Sequence, residues 1–268
     1  MRKKILNIAI PAILIVVFLY SVTMFAYSLY EYKKGNDIYD AAAESVAIEE
    51  NVVEKNEDST VEEENKDVQY HVEKIASLKL DWNKLPDNVV GWIKIPGIDV
   101  INYPVVQSTD NEYYLTHLYD GTKNSNGSIF VDCRNSGFDG RHIILHGHNM
   151  KSGRMFAGVK KYKDESFANE HRYIYIGLPN GETKIFYVFA ASTADARIEL
   201  DPNYTAFDVS IDDEWVNETI RRSWVSSGVE IPSGVNVLTL ATCVSGADEY
   251  ERFVVHAVEV QNRRLVQD

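Results

Sequence analysis

The chain predicts a mainly β fold: a closed or nearly closed eight-stranded β-barrel, with a helix before it and a second helix inserted before its last two strands. Three observations carry this. From Val89 onward, short runs of β-branched and aromatic residues recur between Gly, Asn, Asp or Pro, and about eight such runs in one unit favour closure, which removes sheet edges. Asn180-Gly181 falls between two of them and is a strong hairpin signal. A single later stretch, opening at Asp212, switches to helical spacing.

The first thirty residues stand apart from any soluble core. Arg2, Lys3 and Lys4 precede an uncharged run from Ile5 to Tyr30, longer than the roughly 20 residues that cross a bilayer as a helix. Basic residues before the run and Glu31 after it place the N-terminus inside and the remainder outside. A cleavable signal peptide is the rival reading, but its apolar core is usually about 7–15 residues and ends at a small-x-small site. Residues 1–30 therefore read as an uncleaved transmembrane signal-anchor.

Residues 31–66 carry twelve acidic residues against four lysines, with almost no aromatic residue after Tyr39. That composition buries too little apolar surface to offset chain entropy, so the segment reads as a flexible acidic stalk, a solvated chain or a frayed helix, that stands the domain off the membrane. Residues 67–268 form the folded domain. The whole chain has a formal net charge of −13 and no basic block, which argues against nucleic acid as a partner.

Within the domain, Val68 to Leu85 has helical spacing, with Val72, Ile75, Ala76 and Leu80 near one face and Pro86 ending it. Strands are expected at Val90–Ile95, Val100–Val106, Ser128–Val131, His142–His146, Tyr173–Ile176, Lys184–Ser192, Asn236–Thr242 and Phe253–Val260. The inserted helix opens with Asp212, Asp213 and Glu214 and closes with Arg221 and Arg222, matching the helix dipole at both ends. Ile211, Trp215, Val216, Ile220 and Trp224 make its apolar stripe.

The chemistry concentrates at Thr239-Leu240-Ala241-Thr242-Cys243, which ends a strand-forming run in a cysteine, with Arg252 nine residues on in the next run. A thiol at a strand end is reachable by substrate, and a guanidinium beside it can favour the thiolate or hold an oxyanion. His146-Gly147-His148 ends another apolar run upstream, supplying an imidazole for acid–base work. A lone cysteine is more often a small buried hydrophobe; here the neighbouring residues decide.

Those residues resemble class B sortases. Beside the Thr-Leu-x-Thr-Cys strand and the following arginine stand Gly147-His148-Asn149-Met150 and Met155-Phe156-Ala157-Gly158. Gly91-Trp92-Ile93, Tyr103-Pro104-Val105-Val106-Gln107 and Gly127-Ser128-Ile129-Phe130-Val131-Asp132 follow the family's early strands in order. The resemblance spans roughly residues 68 to 262. Ala241 departs from it where a hydroxyl is frequent, and Cys133 where an aromatic is common. The leading and inserted helices favour class B over class A.

The resemblance implies a sortase-type barrel and a membrane-anchored cysteine transpeptidase. Cys243 is then the nucleophile toward a threonine carbonyl in a C-terminal sorting signal, His148 the acid/base and Arg252 the oxyanion or substrate holder. Asn111, Leu115, Thr242 and Trp224 are expected to contact substrate. The thioester passes to an amine of the cell wall or its precursor, without a cofactor, on the outer face of the membrane of a Gram-positive-type bacterium. Two other functions use the same features: an exported cysteine peptidase with water as acceptor, and a non-catalytic, membrane-tethered barrel that binds a wall polymer. No metal site is expected, because Cys243 has no second cysteine at ligand spacing and no His-Glu-x-x-His helix occurs, although His142, His146 and His148 share strand parity. Cys133 and Cys243 could pair only if their Cα atoms lay within about 7 Å; both are expected to be free.

Overall fold

The computed structural model describes residues 2–44, 46–51, 75–197, 211–244 and 250–260. Eight strands close into a barrel: β3 (Val89–Lys94), β4 (Asn102–Gln107), β5 (Ile129–Val131), β6 (His142–His146), β7 (Tyr173–Gly177), β8 (Thr183–Asp195), β9 (Val237–Cys243) and β10 (Glu251–Val260). Around the barrel they run β10-β8-β7-β3-β4-β5-β6-β9, and β9 pairs with β10 to close the ring. The strands expected from sequence match these within one to three residues at either end. The Asn180-Gly181 pair makes the β7–β8 hairpin, where the Leu178 N–H donates to the Glu182 carbonyl at 2.8 Å.

Strand alternation sets what lies inside. Ile143 and Leu145 of β6, Leu238 and Leu240 of β9, and Phe253, Val255 and Ala257 of β10 fill the barrel interior. The intervening residues His142, Ile144, His146, Thr239, Ala241, Val254 and His256 therefore face outward. Phe156, Val159 and Tyr162 are buried from one 3₁₀ helix, Phe156–Lys163, whose side chains eclipse at every third residue. A short helix α2 (Glu165–Glu170) follows, capped by Asp164, whose side chain accepts from the Phe167 N–H at 2.9 Å.

The inserted helix is present as α3 (Asp213–Arg222), between β8 and β9. Asp212 caps it by accepting from the Trp215 N–H at 2.9 Å. Ile211, Trp215 and Val216 pack on Phe189, Val237 and Val258, covering the outer wall of β8, β9 and β10. Trp224 departs from the expected stripe: it is 43% exposed and stacks on Phe253 at 5.4 Å.

Two expectations about the N-terminal part need correcting. Ile75–Leu80, inside the helix expected over Val68–Leu85, is a strand, β2, paired antiparallel with β1 (Val46–Asn51); residues 68–74 lie outside the described residues. Leu78 and Leu80 turn toward Gly177 while Lys79 between them is exposed. That two-residue alternation wins over the helical spacing because the leucines cover the barrel's outer wall beside Trp92 and Tyr175.

The second correction concerns residues 31–43. They are neither a solvated chain nor frayed but form the last turns of α1 (Arg2–Ala43), which runs unbroken from the apolar stretch. Gly35, Ile38, Tyr39 and Ala42 form a stripe at helical spacing and pack on the barrel. Averaged composition conceals such a stripe, because lysines and acids occupy the opposite face. Residues 52–66 of the expected stalk lie outside the described residues. Upstream, α1 exposes its apolar side chains from Ile13 to Tyr30, and the helix is long and apolar enough to cross a membrane by length and composition.

Candidate active site

Strand direction brings three separated residues to one end of the barrel. β6 and β9 run parallel, with His146 opposite Ala241. The Gly147 N–H then donates to the Ala241 carbonyl at 3.2 Å, extending the ladder one step beyond β6. Asn149 completes the approach: its Nδ2 donates to the Cys243 carbonyl at 2.7 Å. β10 returns antiparallel to β9 with Arg252 directly opposite Cys243. The loop bearing His148, the thiol and the guanidinium thus share one rim.

Cys243 is exposed and free at the end of β9. By alternation from the inward Leu240 and Thr242, it projects outward. Arg252 is half-buried and its Nη1 donates to the Glu251 carbonyl at 3.1 Å. Thr242 is buried, turned inward opposite Phe253, and its Oγ1 has no hydrogen-bond partner among the described residues.

His148 is held by the chain after β4. Its Nε2 lies 2.7 Å from the Leu115 carbonyl oxygen. A carbonyl only accepts, so Nε2 bears the proton and Nδ1 is the nitrogen left for proton exchange. The His148 carbonyl accepts from the Phe156 N–H at 2.9 Å, and Asn149 pairs with Met155, whose φ of 54° is strained for a residue with a side chain. This loop is fixed at both ends, as precise placement of an acid–base group requires.

The other expected contacts fall at different distances from the rim. Leu115 is 38% exposed and joins the site through its carbonyl. Trp224 lies beside the rim through its stacking on Phe253, with Lys163 Nζ 4.7 Å from its ring centroid. Asn111 is tied into the β5–β6 connection: it donates to Asp132 Oδ2 at 2.9 Å and accepts from the Cys133 N–H at 2.8 Å.

Asp132 is a hub that sequence reading missed. It is fully buried and receives His146 Nε2 at 2.9 Å, Asn111, and a two-point contact from Arg134. Burial by itself pushes this carboxyl up, but the hydrogen bonds from His146 and Arg134 outweigh it and hold the group well below the usual carboxylate range. Asn149 was missed as well, though its place directly after His148 was a usable signal. The three histidines of shared parity go to three different partners. His142 meets Thr239 Oγ1 at 2.8 Å, His146 meets Asp132, and His148 meets Leu115.

The two cysteines lie toward opposite ends of this wall. Val131 is opposite Leu145, and Leu145 opposite Leu240. Cys133 continues past Val131, antiparallel to β6, away from the end that carries Cys243. At about 3.3 Å of rise per residue, the strands set the two far beyond disulfide reach, and both are free.

An exposed thiol on a rigid ladder, with a guanidinium opposite and an imidazole on the adjoining loop, is an arrangement that can serve a cysteine nucleophile. Comparison with known proteins gives the class. Residues 93–260 match the sortase domain family, and the chain belongs to that family. Sortase B of Listeria monocytogenes is 33% identical over 254 residues, covering 93% of this chain and 94% of that protein. The crystal structure of sortase B from Bacillus anthracis in complex with AAEK1 superposes with a TM-score of 0.63 at 29% identity, covering 87% of this chain and 99% of that one. The Staphylococcus aureus sortase B–substrate complex gives a TM-score of 0.59 at 30% identity, covering 67% and 83%. The resemblance to class B sortases is therefore borne out, and with it the eight-stranded barrel. Sortases are cysteine transpeptidases of the bacterial cell surface, and this chain is one.

Proposed function

We propose that this transpeptidase cleaves a C-terminal sorting signal after threonine and joins the protein to a cell-wall amine, from outside a membrane in which residues 1–30 anchor it. The observation that carries the reading is the pairing of an exposed Cys243 with Arg252 across one ladder while Asn149 binds the Cys243 carbonyl.

In the first half-reaction the Cys243 thiol gives its proton to His148 Nδ1 and the resulting thiolate Sγ attacks the threonine carbonyl carbon. The oxyanion that forms is met by Arg252, whose charge is strongest where water is excluded. His148 then protonates the departing amine from Nδ1 as the C–N bond breaks, leaving a thioester and a neutral imidazole. In the second half-reaction the same nitrogen takes a proton from the incoming amine, the new amide forms as the C–S bond breaks, and the departing thiolate takes that proton back to regenerate thiol and neutral imidazole. Leu115 contributes by keeping the Nε2–H tautomer throughout. In this reading Trp224 and the exposed Leu115 side chain flank the peptide, a role their exposure beside the rim supports, whereas Asn111 and Thr242 act through the scaffold.

A peptide-library cleavage assay on the full chain, with hydroxylamine as surrogate acceptor, tests the reading. Threonine hydroxamate products support it. Hydrolysis unaffected by added amine would make the protein a cysteine peptidase, and absence of cleavage a binding module. Exposure of the barrel domain is tested by protease treatment of intact cells: the domain should be shed while residues 1–30 stay in the membrane fraction.

A further inference from the structure

Beyond the residues that meet substrate, we propose that Tyr39 is a positioning residue for His148, so that the helix leading out of the apolar stretch is part of the catalytic apparatus. The inference rests on the reading of His148 as the acid–base group.

The Tyr39 hydroxyl donates to the Gly127 carbonyl at 2.7 Å and lies 2.9 Å from Ser128 Oγ. Gly127 has a φ of +59°, and there is no room at it for a side chain. A Cβ would come within 2.7 Å of the Tyr114 carbonyl oxygen, 2.8 Å of the Leu115 carbonyl oxygen and 2.9 Å of His148 Cδ2. The Gly127 backbone therefore lies close beside the imidazole edge and the carbonyl that fixes its tautomer, with no space for a side chain between them. Ser128 ties this peptide to the turn carrying Leu115: its N–H donates to the Tyr114 carbonyl at 2.9 Å and its Oγ to the His117 carbonyl at 2.8 Å. Tyr39, Gly127 and His148 form one continuous set of contacts from α1 to the reacting imidazole.

The rest of the α1 interface holds that contact in place. Asn124 Nδ2 donates to the Glu31 carbonyl at 2.8 Å, and Asn126 Nδ2 lies 3.1 Å from Asn36 Oδ1; both asparagines are buried. The helix approaches this closely because of Gly35, where a Cβ would lie 2.5 Å from Asn126 Nδ2. On the other side of His148, Arg154 grips Asp40 with two bonds of 2.7 and 2.8 Å. The helix thus braces the His148 loop through the chain before it and the chain after it. Anchoring α1 only by apolar packing would not require hydrogen bonds aimed at the Gly127 peptide.

The test uses the full chain in detergent micelles, a threonine-containing peptide selected from the library, and hydroxylamine. Tyr39→Phe should lower kcat roughly tenfold, the scale of a small misplacement of an acid–base group, with KM for the peptide and the rate of Cys243 alkylation by iodoacetamide unchanged. In a His148→Ala background the same substitution should have no further effect on kcat. A loss carried mainly by KM, an equal loss in both backgrounds, or no loss overturns the positioning role. Should Tyr39→Phe fail to fold, Asp40→Asn takes its place: a kcat-only loss that needs His148 supports the proposal, and an unchanged kcat overturns it. A His148→Ala variant with full turnover would instead overturn the acid–base reading, and this inference with it, a result distinct from the others.

Discussion

Cys243 and Arg252 are cross-strand partners, set directly opposite each other in the β9–β10 ladder one step beyond the inward pair of Thr242 and Phe253. Opposed residues in an antiparallel pair hold their Cβ atoms about 4.5–5.5 Å apart on one face. The separation of thiol and cation is therefore set by backbone hydrogen bonds rather than by a loop. Their order in the chain follows: two strands joined by a short connection need only a few intervening residues to bring both side chains to one rim.

This pairing makes Arg252→Lys informative. A guanidinium offers two parallel hydrogen bonds to an oxyanion, whereas an ammonium is a point charge. Arg252→Lys should keep the fold by circular dichroism and the accessibility of Cys243 by alkylation, yet lose on the order of 10²-fold in turnover, the scale of a lost oxyanion donor. Arg252→Ala should lose at least as much. Turnover near wild type in the alanine variant would show that the cation opposite the thiol takes no part.

Cys243→Ala should abolish both cleavage and amine transfer, because no thioester can form. Cys133→Ser is the matched control. Cys133 is half-buried at the far side of the β5–β6 wall and is held through its backbone N–H by Asn111. Its substitution should leave turnover intact and cost about 1 kcal/mol of stability at most, typical of a small packing change. Peptide turnover and urea unfolding of the two variants check this, and inactivation by the Cys133 change would misplace the nucleophile.

The barrel was legible because half-buried strands impose a two-residue alternation that survives in sequence, and Gly, Asn and Asp mark the turns. Ile75–Leu80 was misread because six residues accommodate both periods, and only the leucines' contact with Gly177 decides between them. The stripe of Gly35, Ile38, Tyr39 and Ala42 was lost in an average over an acidic segment, where lysines and acids on the solvent face dominate the count. Cys243 and Arg252 at strand ends, and His148 two residues past one, stood out as motif residues in sequence, and strand direction brings them to one rim. Asn149, Asp132 and Tyr39 were harder to find because their contacts are not periodic. Asn149 reaches Cys243 across 94 positions and Tyr39 reaches Gly127 across 88, so only the assembled fold brings them together.

The two neighbouring histidines should separate by readout. His148→Ala should lower turnover by at least about 10²-fold, the usual contribution of a general acid–base group. His146→Ala should spare most of the chemistry and act on stability, because it removes one of the partners of the buried Asp132 carboxylate. Breaking a hydrogen bond to a charged group costs about 1.5–3 kcal/mol. Steady-state kinetics and urea midpoints on both variants check this; the opposite ranking in turnover would move the acid–base role onto β6 itself.

A last prediction concerns the outer wall of the barrel beneath α3, away from the chemistry. His142 and His256 are joined through Thr239 Oγ1, at 2.8 Å and 2.9 Å, and Trp215 stands edge-on to both rings. One hydroxyl between two imidazoles can donate to one and accept from the other, an arrangement that suits neutral rings. Burial above all, with smaller electrostatic contributions from the neighbouring His142 and Arg222, pushes the His256 imidazole down to about 3. A histidine whose folded value is depressed binds its proton in the unfolded chain first. Its stabilising contribution is full above the unfolded value of about 6.5 and is lost as pH falls from there toward 3. Between pH 7 and pH 5 this one group should remove about 2 kcal/mol of stability. His256→Gln, which retains a partner for Thr239 without a titrating ring, should flatten the dependence of the urea midpoint on pH across that interval while lowering the midpoint at pH 7. An equal slope in wild type and variant would show that His256 does not stay neutral beneath α3.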